Sequence, residues 1–224
     1  KVISIEGEIT PKMAAIFKKV LADKYYTVDL NWPVITINSK GGDLYSAMEI
    51  GRAIRSHSMS SVVVSRDAVC FSSCVFILAA AEQRLREGTI GIHRPYAESP
   101  SISAEVAAKK FQKISTDAKK YLRDMRIREA LFDDMVNIPP DQIHIFQSLE
   151  ELNKYGLIGL DPVAEERLAA MRMKQYGIAD RQVYMQRNKD ANSTCSDNFV
   201  YAGNRYTLSS CYDAFMTGNL RISR

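Results

Sequence analysis

Residues Ile35 to Ile54 read ITINSKGGDLYSAMEIGRAI, and this stretch decides the fold class. Val34 to Ile37 is apolar and β-branched, as in a strand. Asn38-Ser39-Lys40-Gly41-Gly42 then breaks the run with turn residues, after which Ala47, Ile50, Gly51 and Ile54 recur at helical spacing. Strand, glycine turn and helix together open a βαβ unit. The alternation continues in both directions. Upstream, Val2 to Ile5 predicts a short strand, Thr10 an N-cap and Pro11 the first helical position. Met13, Ile16, Phe17, Val20 and Leu21 mark one face of that helix. Downstream, Val62 to Ser65 predicts a strand, Val75 to Ala81 a buried helix, and Thr89 to Ile92 a strand ending at His93. The order predicts an α/β fold with a mainly parallel sheet and right-handed crossovers.

After Pro95 a loop rich in Ser and Pro leads into a charged helical stretch from about Ser103 to Met135, whose mixed charges suit one solvated face. Ser148 and Glu151 form a capping box for a short helix that ends at Gly156. One more helix is expected from Pro162 to Tyr176, and then the composition turns to Gln, Asn, Asp and Ser. That change puts a boundary near residue 180, dividing the chain into a domain over 1–180 and a small extension over 181–224. In the extension, Phe199 to Tyr201 and Arg205 to Leu208 predict a β-hairpin joined through Ala202-Gly203-Asn204 and flanked by Cys195 and Cys211.

A chain of 224 residues with 46% hydrophobic composition has material for a sizeable core. Its 30 basic and 26 acidic residues are spread along the sequence, so the net charge of +4 gives no reason to expect nucleic acid as a partner. No window approaches the roughly 18 apolar residues that a membrane helix needs, and a soluble domain is expected. Strand-like sequence begins at Lys1 with neither an initiator Met nor a signal-peptide pattern before it, as expected of a precursor whose N-terminus has been removed. The cysteines, Cys70, Cys74, Cys195 and Cys211, allow three disulfide connectivities, with four buried thiols as the alternative. The polar surroundings of the second pair favour an oxidising compartment, periplasmic or secreted. His57 and His144 have no Cys, Asp or Glu near them at ligand spacing, and there is no phosphate loop or dinucleotide fingerprint. Neither metal nor cofactor is expected. Trp32 and the eleven tyrosines are scattered, as packing residues are.

Three segments carry candidate chemistry. Ser39-Lys40-Gly41-Gly42 lets backbone N–H groups approach a ligand, although many strand-to-helix turns use Gly-Gly. Cys70-Phe71-Ser72-Ser73-Cys74 puts serines between a strand and an apolar helix, where main-chain donors can meet an oxyanion; the plainer reading makes Ser72 a helix cap. Gly91-Ile92-His93-Arg94-Pro95 places a histidine at a strand end, the usual edge for sites in parallel sheets, where a hydrogen-bonded core residue is the commoner occupant.

As an ordered set these segments resemble the Clp protease proteolytic subunit. Ile35 to Ile54 is similar to that family's glycine turn and helix, and Ser72 to Ala81, SSCVFILAAA, to its nucleophile helix, with Phe76 the aromatic four positions after the serine. Ile90 to Pro95, IGIHRP, resembles its histidine segment, and Ser148 to Ile158 its late helix ending in Tyr-Gly-Leu. The resemblance covers roughly residues 1 to 160 and implies the ClpP and crotonase-like α/β fold and a serine hydrolase, a peptidase acting on peptides or proteins. Ser72 is implied as nucleophile and His93 as general base, with the N–H groups of Gly41, Gly42 and Ser73 as the oxyanion hole. Ser73 is the rival nucleophile. The family's acid falls at Gly159 in this chain; Asp161, two residues on, is the candidate replacement, and otherwise the site is a dyad or silent. The Cys-x-Ser-x-Cys dressing resembles a periplasmic or secreted bacterial branch. Cysteines four apart on a helical turn are about 6 Å apart at Cα, within disulfide reach, so Cys70 and Cys74 form either a bridge or two small packing residues. The family implies a homo-oligomer, with 103–135 as its protruding handle, whereas an oxidising compartment without ATP implies no ATP-driven unfoldase. Two other functions remain: a catalytically silent binding or assembly module, and a crotonase-like acyl-CoA enzyme.

Overall fold

Strand β1 (Val2–Glu6) buries Ile3 and Ile5 and exposes the residues between them, the period-two pattern of a sheet with one covered face. The computed structural model describes residues 2–22, 34–57, 60–95, 103–197 and 199–220. Trp32 and the Ser- and Pro-rich segment 96–102 lie outside them. Helix α1 (Pro11–Ala22) follows, opened by Thr10, whose hydroxyl accepts the Met13 N–H at 3.2 Å, and it buries Ala14, Phe17 and Leu21. Next come β2 (Val34–Asn38), α2 (Leu44–Arg55), β3 (Ser61–Val64), β4 (Val69–Phe71), α3 (Cys74–Ala80), β5 (Gln83–Arg86) and β6 (Thr89–Ile92). Helix α2 starts where Asp43 accepts the Ser46 N–H at 2.7 Å. All seven residues of α3 are buried, the consequence of an apolar run with no polar face.

Strands β1, β2, β3 and β5 pair in parallel in that order, and β8 (Gly159–Leu160) closes the sheet antiparallel to β5, with Arg84 opposite Gly159. A second sheet holds β4, β6 and β7 (His144–Ile145); β4 runs parallel to β6 with Phe71 opposite Gly91. The fold is thus mixed α/β with mainly parallel pairing, as the sequence order requires. Helices α4 (Ala104–Asp124) and α5 (Ala130–Asn137) connect β6 to β7, and α6 (Leu149–Tyr155) connects β7 to β8 with the Ser148/Glu151 capping box in place.

The expected continuous helix from Ser103 to Met135 is two helices. Helix α4 stops at Asp124, and Arg126 turns left-handed, φ +57°. No Gly or Pro forces the break. The Met125 carbonyl instead accepts from Arg55 Nη2 at 2.8 Å and Arg84 Nη2 at 3.1 Å, and Arg126 reaches Asp161, so a buried charge cluster ends the helix. The first ten residues of α4 are exposed; Ala118, Tyr121 and Leu122 near its end are buried.

The chain divides into two compact units, 1–161 and 162–224. The second contains α7 (Pro162–Gln175), α8 (Arg181–Thr194), a hairpin of β9 (Phe199–Tyr201) and β10 (Asn204–Tyr206), and α9 (Leu208–Thr217). The compositional change near residue 180 falls inside this unit, where Asp180 caps α8. The hairpin is there, but two helices flank it, and its second strand ends at Tyr206 because Thr207 and Ser210 form a capping box for α9. Cys195 and Cys211 are bridged, with Cα atoms 5.7 Å apart, and Ala191, Cys211, Phe215 and Leu220 form a small core around the link.

Candidate active site

Ser72 stands between β4 and α3 with φ 56°. A left-handed backbone costs a non-glycine residue roughly 1–2 kcal/mol, so its surroundings must hold it there. Ser72 N–H donates to Gly91 O at 3.1 Å, Ser72 O accepts from Val75 N at 3.1 Å, and Cys70 and Cys74 on either side are bridged, their Cα atoms 5.3 Å apart. Ser72 is not the helix cap. That position belongs to Ser73, which makes no side-chain cap and donates its hydroxyl to Gly42 O at 3.1 Å.

Gly41 and Gly42 approach from the β2–α2 turn with φ +105° and +144°. A Cβ on Gly41 would lie 2.8 Å from Ser72 Cβ and 3.0 Å from Phe71 O, and one on Gly42 2.3 Å from Ile9 O. Both positions therefore need glycine for space as well as for φ. Their amides differ. Gly41 N–H donates to the buried Ser39 hydroxyl at 3.0 Å, whereas among the described residues no acceptor meets the N–H of Gly42 or of Ser73. Beside the turn opens a groove of about 490 Å³, lined by Gly7, Glu8, Asn38 to Gly42 and Val69.

His93 is one residue past β6 and 8% exposed. Because β4 and β6 are parallel neighbours, Ser72 and His93 emerge at the same, C-terminal end of adjacent strands. His93 Nδ1 lies 3.0 Å from the Arg94 carbonyl. A carbonyl only accepts, so this contact is a hydrogen bond with the proton on Nδ1.

Asp161 is elsewhere. It follows β8 in the other sheet, is 0% exposed, and its carboxylate meets Arg55 Nη2 at 2.9 Å, Arg126 Nη1 at 3.0 and 3.2 Å, and Arg84 Nη2 at 3.8 Å. Arg84, also buried, further donates to the carbonyls of Ala79 and Gly156. Burial, reinforced by Arg55 and opposed by Asp161, pushes the Arg84 guanidinium down to about 10. Gly159, where the sequence resemblance puts an acid, has φ +86° and open space where a Cβ would be.

Sequence reasoning missed this arginine cluster and the role of Ser39. Nothing in the spacing of Arg55, Arg84 and Arg126 announces a shared counterion; Ser39 was within the glycine segment, and only the fold shows its hydroxyl on Gly41. Among the described residues no three His, Cys, Asp or Glu side chains gather to hold a metal, and no helix is long and apolar enough to cross a membrane. No curated protein matches the chain. The family model for Clp protease matches residues 1–184, through both sheets, the serine turn and the histidine, and the chain belongs to that family of serine peptidases.

Proposed function

We propose that this chain is a serine peptidase acting through an acyl-enzyme on Ser72, with His93 as general base. The observation that carries the reading is the serine turn itself: a strained, non-capping Ser72 held against a glycine stripped of Cβ, at the strand end next to His93. Ser72 Oγ attacks the scissile carbonyl carbon while His93 Nε2 takes its proton. The carbonyl oxygen becomes an oxyanion, received by the amides of Gly42 and Ser73, which meet no acceptor among the described residues; Gly41 gives shape, its own amide being held by Ser39. Collapse of the tetrahedral species breaks the C–N bond, and the imidazolium returns the proton to the leaving amine. Water, deprotonated by the same nitrogen, then cleaves the ester.

The Arg94 carbonyl, holding Nδ1–H, supplies the tautomer that a carboxylate supplies in a triad. Asp161 is the counterion of three arginines and takes no part in the chemistry. Substrates are peptides or proteins, and self-association fits a family that works as oligomers. Two disulfides suit an oxidising compartment, periplasmic or secreted, where no ATP-driven unfoldase would feed the site. A fluorophosphonate probe tests the reading: it labels the wild type, and neither Ser72→Ala nor His93→Ala. Absence of labelling in a folded wild type refutes it. One observation favours a second reading, a catalytically silent binding module: Gly159 carries no carboxylate. Full biological activity of Ser72→Ala would establish that alternative.

A further inference from the structure

The Cys70–Cys74 bridge encloses Phe71, Ser72 and Ser73, and so contains both the proposed nucleophile and the Ser73 amide, which meets no acceptor among the described residues. Cys70 lies on β4 opposite Ile90, Cys74 is the first residue of α3, and both are fully buried. The link therefore ties the strand entering the turn to the helix leaving it, across the one left-handed residue between them. The other restraints on the turn are hydrogen bonds: Ser72 N–H to Gly91 O, Val75 N–H to Ser72 O and the Ser73 hydroxyl to Gly42 O, each 3.1 Å, with Phe71 N–H to Ser39 O and Phe76 N–H to Ser73 O, each 3.0 Å, at its two ends. Bonds of this kind open locally, and a covalent link does not.

Stability alone does not account for a bridge at this spacing. Closing so short a ring removes less entropy from the unfolded chain than the Cys195–Cys211 link, whose partners are 16 residues apart. What distinguishes Cys70–Cys74 is its place. Resting on the peptidase reading above, we propose that this bridge is a positioning device for the reaction, holding Ser72 Oγ and the Ser73 amide in register with Gly41-Gly42, so that activity belongs to the oxidised chain. Reduction by a dithiol such as dithiothreitol would transfer two electrons and two protons to the sulfur pair, giving two thiols and the cyclic disulfide of the reagent. Because both sulfurs are buried, that exchange waits on opening of the turn.

The test compares the full chain with Cys70→Ala/Cys74→Ala and with Cys195→Ala/Cys211→Ala as control. Two quantities are read: the rate of Ser72 acylation by a fluorophosphonate, and hydrogen exchange at the Val75 and Phe76 amides. The first variant keeps its circular dichroism spectrum and cooperative melting, acylates at least about tenfold more slowly because a misplaced donor or nucleophile costs one to two orders of magnitude, and exchanges at these amides at least about tenfold faster. The control acylates at the wild-type rate. Wild-type acylation and exchange in the first variant would overturn the proposal. So would loss of its fold together with its activity, which would assign the bridge to stability. If the wild type itself never acylates while exchange in the variant rises, the peptidase reading fails and the hold of the bridge on the turn stands.

Discussion

Replacing Asp161 by Asn separates structure from catalysis. The carboxylate is 0% exposed and faces Arg55, Arg126 and Arg84 at 2.9, 3.0 and 3.8 Å. Asparagine keeps the shape and removes the charge, leaving Arg84 and Arg55, whose side chains are 2% and 15% exposed, against each other without a counterion. Removing one partner from a buried ion pair costs about 3–5 kcal/mol. Arg126, 45% exposed, adds little, since solvent screens it. In a chain of this size each kcal/mol moves Tm by about 2–4 °C, so the variant melts some ~6–20 °C lower. Calorimetry or urea unfolding reads the stability, and fluorophosphonate acylation of Ser72 well below both melting temperatures reads the site. Lower Tm with unchanged acylation of the folded variant is expected. An unchanged Tm with acylation slower by about a hundredfold or more, the signature of losing an imidazole-orienting carboxylate, would refute the assignment.

Three further predictions follow from the geometry. Gly41→Ala, whose Cβ would sit 2.8 Å from Ser72 Cβ, lowers the acylation rate by about a hundredfold; a wild-type rate would mean the turn has no part in the site. Tyr155 and Tyr176 are pushed up to about 12, first by burial and then by hydrogen bonds to Asp134 and Asp213. The folded chain therefore keeps protons that the unfolded chain releases at its ordinary value of 10.0, so this contribution to stability is complete below pH 10 and is lost as pH rises toward 12; ultraviolet titration and alkaline unfolding of Tyr155→Phe and Tyr176→Phe measure it. Cys195→Ala/Cys211→Ala weakens residues 162–224 by about 3 kcal/mol, as the closed loop of the chain-entropy model implies, and hydrogen exchange should rise in that unit while 1–161 keeps its protection.

The sequence was most legible where a strand or helix is long enough to show its period. Ile35 and Ile37 alternate into the core, Ala14, Phe17 and Leu21 line α1, and the apolar run through Phe76 is buried throughout. It was least legible where elements are short or polar. β4 has three residues, β7 and β8 have two, and β5 reads Gln-Arg-Leu-Arg, because its buried position is filled by an arginine whose partners include the distant Met125, Gly156 and Asp161. The same cluster broke the helix expected over 103–135 and claimed Asp161, which proximity in sequence had offered to His93. Helices α8 and α9 escaped notice because few of their residues are buried, among them Tyr184 and Ala191 in α8 and Cys211, Phe215 and Met216 in α9. The serine turn and the strand-end histidine were visible because each lies in a short local motif, Cys70 to Cys74 and Gly91 to Pro95. The contact of His93 Nδ1 with the Arg94 carbonyl was not, since a main-chain carbonyl has no signature in a sequence.

A peptidase of this kind passes through a covalent intermediate on Ser72. Incubating the protein with an activated ester, quenching in acid within the first turnovers and locating the acyl group by peptide mass spectrometry tests it directly. One acyl group is expected, on Ser72, absent from Ser72→Ala and formed far more slowly in His93→Ala. An adduct on Ser73, or ester turnover that survives Ser72→Ala without any trapped acyl group, would contradict it.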